Sequence, residues 1–219
     1  MKKLTALAVG PLVFLAVVLG AAIGGDKGDK GDKGDKDKGT PTSGSLDNPY
    51  IPLKVGTKWE YAAGAKKVTI EVKKHEEVPG QGQTAKLETT DASGVVLSEN
   101  LVVRDNRIYR VRANGKDITP PLVVLDLSAK KGETWQLNSK TDNFDISGKM
   151  TNDGEEKLTV GKDEYTAVKV HSSDLKLGFE AASLEAWYAK DRGLVKMHFR
   201  IPAASQDITL ELEKFTPAK

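Results

Sequence analysis

The sequence predicts an all-β protein whose antiparallel, curved sheet forms a half-barrel or a sandwich, with little helix. Apolar and polar residues alternate in short runs, which is typical of half-buried strands, and Val68, Ile70 and Val72 mark the apolar face of one run. Turn-forming residues separate these runs, and Asn114–Gly115 is the strongest two-residue hairpin signal among them. A pattern of acidic, basic and aliphatic residues at 99–110 also recurs at 185–196.

The first 24 residues have the composition of a secretory signal peptide. Two lysines precede an apolar run, 4–19, and small residues follow it, so cleavage is expected after Ala22 or Gly24. An uncleaved membrane anchor is the alternative, although the run is slightly shorter than the roughly 20 residues that cross a bilayer core. Either outcome predicts a periplasmic or secreted protein that reaches a membrane only through an uncleaved signal segment.

Residues 25–48 are predicted to be a disordered linker. The segment begins with four Gly-Asp-Lys triplets and continues into residues rich in Ser, Thr, Pro and Gly. Glycine at every third position is the collagen rule, so a triple helix is the alternative, but triplets this few and without proline do not offset the ordering entropy. We expect a flexible, charge-balanced spacer that holds the folded domain away from a membrane or a processing site.

The composition is that of an ordinary globular protein, with 38% hydrophobic and 29% charged residues. Lys2 and Lys3 account for the formal net charge of +2, so cleavage leaves a neutral chain with no electrostatic preference for nucleic acid. The chain contains no cysteine. Disulfides, a thiolate nucleophile, cysteine-ligated zinc and a lipid anchor on a lipobox cysteine are therefore excluded.

Residues 49–219 are predicted to form a single β domain of two similar halves, about 49–125 and 126–219. Three pairs of segments match in the same order along the chain, which indicates an internal duplication, with chance similarity as the alternative. The matched pairs are 54–59 with 130–135, 84–87 with 165–170, and 99–110 with 185–196. Their growing separation implies loop insertions in the second half, and 142–154 is one candidate place.

Three tryptophans lie in the matched segments, and a tyrosine follows the last of them. An aromatic wall that binds an apolar ligand or a glycan is one interpretation. The other is that each tryptophan is a core residue that fixes a corner of the sheet, because an aromatic side chain on a strand buries a large area. The ligand-binding hypothesis names Trp59, Trp135, Trp187 and Tyr188.

The sequence shows no recognisable metal or catalytic motif. His75, His171 and His198 have no zinc-binding spacing, and the last two would face each other only if their strands pair. Two acidic segments, 142–145 and 152–156, lack EF-hand spacing, so surface turns are the alternative to a calcium site. Neither a serine elbow, a phosphate loop nor a nucleophile beside a base is recognisable. We therefore expect no catalytic residue, no metal, no cofactor and no enzymatic activity.

Three segments resemble a group of exported bacterial proteins. Tyr50–Tyr61, Tyr165–Val170 and Trp187–Lys196 are similar to TapB-type proteins or domains of unknown function, which are distantly similar to the LolA and LolB lipoprotein carriers. The likeness spans about residues 49–214 and departs from the usual Gly-Val at Asp191–Arg192. The resemblance implies a half-barrel with an apolar concave face and a lipid as the candidate ligand. It carries over no catalytic residue.

These observations predict an exported, non-enzymatic envelope protein that binds a lipid or another apolar small molecule in a concave β-sheet. The alternative is a structural or interaction module that binds a partner envelope protein or a cell-wall polymer. A third hypothesis, a hydrolase, would require a polar cleft that holds carboxylates or histidines within hydrogen-bond reach.

Overall fold

The computed structural model describes residue 46, residues 48–142 and residues 144–219. The predicted signal peptide and nearly all of the predicted linker lie outside these residues. Twelve antiparallel strands follow one another around a closed barrel, and the first strand pairs with the last. The all-β, antiparallel prediction with little helix is confirmed. The prediction of a half-barrel or a sandwich of two halves was wrong, because the two outer strands of the sheet pair and close it.

Regular structure in the described part of the chain is almost entirely strand, with one 3-10 turn at Pro202–Ala204. Among these residues, no helix has the length and apolar character needed to cross a membrane. The strands are β1 Lys58–Ala63, β2 Lys66–Val78, β3 Gly82–Asp91, β4 Gly94–Arg104, β5 Arg107–Ala113, β6 Lys116–Asp126, β7 Thr134–Lys140, β8 Asp145–Val160, β9 Asp163–Leu177, β10 Glu180–Ala189, β11 Gly193–Ile201 and β12 Gln206–Thr216.

Closure of the barrel depends on the pairing of β1 with β12. Lys58 lies opposite Thr216 and Ala62 lies opposite Glu211, in antiparallel register. An open sheet of these strands would expose a row of unpaired N–H and C=O groups at each edge, and closure removes both edges. Although β1 has only 6 residues, its pairing with β12 closes the barrel.

The matched segments of the sequence lie six strands apart in the barrel. Residues 54–59 lead into β1 and 130–135 lead into β7, and the two recurring hairpins are β4–β5 and β10–β11. This arrangement is compatible with a duplication, which stays a prediction. The loop insertion predicted at 142–154 was wrong for most of its length, because β8 begins at Asp145.

One end of the barrel is crossed by residues 48–57, which we call the strap. The amide of Asp191, in the β10–β11 turn, donates to the carbonyl oxygen of Pro49 at 2.7 Å. A second contact joins the strap to β2, where a ring nitrogen of His75 lies 2.7 Å from the carbonyl oxygen of Leu53. The Leu53 side chain is buried in the core, so the strap closes this end with apolar contacts as well as hydrogen bonds.

The junction between β6 and β7, which we call the seam, is much less paired than the adjoining junctions. Thr119 and Lys140 are its one registered pair, whereas β7 pairs with β8 along its whole length. Pro120 and Pro121 follow Thr119 and have no N–H to donate to a neighbouring strand. Further along β6, the carbonyl oxygen of Val123 accepts a hydrogen bond from the indole N–H of Trp135 in β7 at 3.2 Å, so a side chain bridges the seam.

Candidate functional site

An apolar cavity of about 130 Å³ lies inside the barrel. Aliphatic side chains from nearly all strands form its wall, together with Ile51 of the strap. Leu122, Val123 and Val124 of β6 and Leu137 of β7 also line it, so the cavity extends to both sides of the seam. An engineered apolar cavity of about 150 Å³ stays dry and binds benzene, so this volume suits one small ring or part of an acyl chain.

A charged pair lies on this apolar wall. The Arg110 Nε donates to a carboxylate oxygen of Glu99 at 2.5 Å, and the side chains are only 10% and 6% exposed. Glu99 and Leu101 are two residues apart on β4 and share a face, and Arg110 of β5 lies opposite Leu101. Both charges therefore point into the barrel. They neutralise each other there, which limits the cost of burying them.

Two tyrosines with different hydrogen bonding also line the cavity. The Tyr61 hydroxyl donates to the carbonyl oxygen of Leu194 at 2.8 Å. The Tyr188 hydroxyl, by contrast, makes no hydrogen bond within the described part of the chain. Burial raises the pKa of Tyr188 to about 12, while the Arg110 charge lowers it and the Glu99 charge raises it. Tyr188 is therefore a neutral phenol at physiological pH, close to both charges of the pair.

The four aromatic residues of the ligand-binding hypothesis do not form one wall. Trp59 and Tyr188 line the cavity. Trp135 lies at the seam, as described above. Trp187 packs at the outside of β10, where its indole N–H donates to Glu156 at 2.6 Å and the Lys169 ammonium lies 5.1 Å from its ring centroid. The structure thus brings two of the four to the cavity, and their part in ligand binding stays a prediction.

Glu99 and Arg110 are charged residues of the cavity that the sequence hypothesis does not include. Both occur in the recurring hairpin, whose pattern predicts a duplication and not a buried charge pair. A signal was present, because Glu99 lies between Leu97 and Leu101 at the spacing of one strand face. A charged residue on an otherwise apolar face of a strand indicates a buried polar interaction.

His171 and His198 do not face each other directly, because β10 lies between their strands. Glu185 of β10 is the registered partner of both histidines. A hydrogen bond from Lys169, opposed by burial, lowers the pKa of the Glu185 carboxyl. In the described part of the chain, no group of three or more His, Cys, Asp or Glu side chains is arranged to hold a metal ion. Of the two acidic segments, 152–156 lies within β8 and not in a turn.

A second, open groove of about 550 Å³ lies at the strap end of the barrel. The strap, the first residues of β9, the β10–β11 turn and the C-terminal residues form its walls. It is polar and aromatic: the Arg192 guanidinium lies 5.3 Å from the ring centroid of Phe215, and Tyr165 lies on the same wall. This groove differs in chemistry from the interior cavity.

No family model and no curated protein matches the chain. A candidate exported protein with a YmcC-like fold from Bacteroides fragilis has a crystal structure that aligns with 76% of this chain and 98% of its own, at 13% identity and a TM-score of 0.52. A candidate lipoprotein from Parabacteroides distasonis aligns over the same shares, at 15% identity and a TM-score of 0.48. The first likeness shows a shared fold. Neither supports the TapB-type or LolA/LolB likeness specifically.

Proposed function

We propose that this chain is an exported, non-enzymatic envelope protein that binds an apolar ligand inside its barrel. The observation that carries the proposal is the apolar cavity of about 130 Å³ lined by the barrel strands and the strap. Two features support an envelope or secreted location: the signal-like N-terminus, and a fold shared with a candidate exported protein.

The chemistry of the wall favours an apolar ligand. An empty cavity deprives its lining atoms of dispersion contacts, and an apolar molecule restores them without requiring hydrogen bonds. Drug-sized ligands occupy pockets of roughly 300–1,000 Å³, so a molecule of that size does not fit in this volume. If the ligand is a lipid, the cavity receives part of one acyl chain and the remainder lies outside the barrel.

The pairing of the charged groups on the wall supports a binding role over catalysis. Among the described residues that line the cavity, Glu99 and Arg110 are the ones that carry a charge at neutral pH, and they bind each other. A general acid or base must exchange a proton with a substrate and needs a free face toward it. A carboxylate held by a guanidinium is poorly suited to that task.

Native mass spectrometry and solvent extraction of the purified exported chain test the proposal. We expect a copurified apolar molecule or, in a stripped sample, binding of benzene that shifts the methyl resonances of Leu184 and Leu194 in NMR spectra. Ala186 lines the cavity, so Ala186→Leu should fill it and abolish benzene binding. Ala181→Leu makes the same change at an exposed position of the same strand and should bind benzene normally. A wild-type protein with neither a copurified ligand nor benzene binding would contradict the proposal.

The open groove at the strap end favours a second candidate function, an interaction module for a partner envelope protein or a cell-wall polymer. Aromatic rings beside charged groups are suited to stacking on sugars or peptides. Cosedimentation with purified cell-wall sacculi tests this alternative, with Phe215→Ala as the variant that removes the ring under Arg192. Cosedimentation that disappears in this variant, in a protein that binds no benzene, would favour the interaction module.

A further inference from the structure

We propose that the ligand of the interior cavity is an uncharged molecule with a hydrogen-bonding group, and that the Tyr188 hydroxyl holds this group. The inference rests on the proposed function, because it names the chemical class of the ligand in the same cavity. Three observations carry it: an unpaired hydroxyl, a charge pair that is already neutral, and a matched tyrosine whose hydroxyl is paired.

The Tyr188 side chain lines the cavity and is half-buried. A phenol hydroxyl can both donate and accept a hydrogen bond, and one left without a partner in an apolar site costs free energy. A ligand with a hydroxyl, ester or amide group removes this cost when it binds.

The Glu99–Arg110 pair disfavours a charged ligand. The guanidinium and the carboxylate are in contact at 2.5 Å and sum to no net charge. A carboxylate ligand would have to compete with Glu99 for Arg110, and an ammonium ligand would have to compete with Arg110 for Glu99. Either ligand adds a charge that the cavity does not balance, and an unbalanced charge in an apolar interior is expensive.

The two cavity tyrosines provide a matched comparison. Tyr61 and Tyr188 both line the cavity, but the Tyr61 hydroxyl is bound to the Leu194 carbonyl oxygen. Replacing Tyr61 with phenylalanine removes a hydrogen bond within the protein. Replacing Tyr188 with phenylalanine removes a hydroxyl that makes no hydrogen bond to the described part of the protein. Only the second change should alter the preference for a polar ligand.

Four probes with the same six-carbon chain separate the possibilities: hexane, hexanol, hexanoate and hexylammonium. Their dissociation constants are measured by NMR titration of the stripped wild-type protein at neutral pH. We expect hexanol to bind at least about tenfold more tightly than either ion, as an uncompensated buried charge costs more than one hydrogen bond gains. In Tyr188→Phe, hexanol should lose about fivefold in affinity, the value of one neutral hydrogen bond, while hexane is unaffected. Tyr61→Phe should leave the ratio of hexanol to hexane affinity unchanged.

The outcomes distinguish this inference from the proposed function. If hexane binds but hexanoate or hexylammonium binds as tightly as hexanol, or if Tyr188→Phe keeps the full affinity for hexanol, the inference is wrong and the apolar site stands. If no probe binds, hexane included, the proposed function fails as well. The wild-type series requires no substitution, so it decides the charge preference even if a variant does not fold.

Discussion

The indole N–H of Trp59 donates to the carbonyl oxygen of Arg192 at 2.5 Å, and this bond joins β1 to the β10–β11 turn. The next residue, Gly193, is the first of β11 and lies against the same ring. A Cβ atom placed on Gly193 would lie 3.0 Å from the Trp59 Nε1. The backbone of Gly193 also has a φ of 82°, in the region that favours glycine. Two independent constraints therefore require glycine at this position.

Gly193→Ala should lower the free energy of unfolding by about 2–3 kcal/mol, from the positive φ and the contact with the indole together. The control is Gly161→Ala in the β8–β9 turn. Gly161 has a φ of 61°, but no atom lies within 4 Å of its added Cβ. The Gly161→Ala variant should therefore lose only about 1 kcal/mol of its free energy of unfolding. Urea unfolding measures both, and equal losses would show that the packing of Trp59 on Gly193 contributes nothing.

The buried charge pair predicts a second stability difference. Glu99→Gln leaves the Arg110 guanidinium in an apolar wall without its carboxylate, which should cost about 3–5 kcal/mol. The double variant Glu99→Leu, Arg110→Met removes both charges and should be more stable than Glu99→Gln, because well-packed apolar side chains can replace a buried ion pair.

The pair Lys196–Glu211, whose side chains are partly exposed to solvent, is the control for this prediction. Its charges lie 2.8 Å apart at the outer surface, where water screens them, so Glu211→Gln should change the stability by less than about 1 kcal/mol. Denaturant unfolding of all the variants gives the comparison. A Glu99→Gln loss no larger than that of Glu211→Gln would mean that the interior is more hydrated than the structure indicates.

The seam predicts that β6 and β7 open more readily than the rest of the barrel. Their junction has one registered pair, whereas β8 and β9 pair along most of their length. Local opening is favoured where few backbone hydrogen bonds hold a strand. Hydrogen exchange followed by mass spectrometry should therefore show faster exchange in peptides from β6 and β7 than in peptides from the β8–β9 hairpin.

A disulfide across the seam tests the cause of this faster exchange. Thr119 and Lys140 are directly opposite each other, and opposite residues of antiparallel strands have Cα atoms about 4.5–5.5 Å apart, within disulfide range. The chain has no other cysteine. Thr119→Cys, Lys140→Cys should slow exchange in β6 and β7 when oxidised and not when reduced. Lys157→Cys, Thr166→Cys, an opposite pair on β8 and β9, should leave the seam unaffected.

Sequence patterns were sufficient to predict the strands but not the closure of the sheet. The burial of Val68, Ile70 and Val72 follows their alternation with polar residues, because side chains on a strand point to opposite faces in turn. A half-barrel and a closed barrel share this alternation. They differ in whether β1 pairs with β12, and those strands are separated by nearly the whole folded chain.

The candidate site was predictable in part for a related reason. Trp187 and Tyr188 are consecutive residues of β10, and consecutive side chains on a strand point to opposite faces, so the two cannot share one wall. Leu184, Ala186 and Tyr188 line the cavity, which places Trp187 on the other face of the strand, where it is buried. Alternation separates the two faces but does not reveal which of them is the interior. The four aromatic residues are therefore divided between the cavity, the seam and the outer face of β10.

The stability of the outer face should depend on pH through Glu185. The Lys169 ammonium lies 2.6 Å from this carboxylate, and its hydrogen bond lowers the Glu185 pKa below the ordinary value of 4.5, against the opposing effect of burial. His198 of β11 also contacts the carboxylate, at 3.6 Å. A carboxyl with a lowered pKa in the folded state stabilises the protein fully above its unfolded pKa, and this contribution disappears as the pH falls through the lower folded value.

Glu185→Gln should therefore make the free energy of unfolding less dependent on pH in the acid range, where wild-type stability decreases as the pH falls below about 4.5. The free energies of unfolding of the two proteins should differ most above that pH and should converge at lower pH. The difference should be less than about 1 kcal/mol, because the Lys169–Glu185 pair is partly exposed to solvent. Urea unfolding at a series of pH values measures both curves. A constant difference at every pH would show that Glu185 stabilises the barrel by packing and not by its charge.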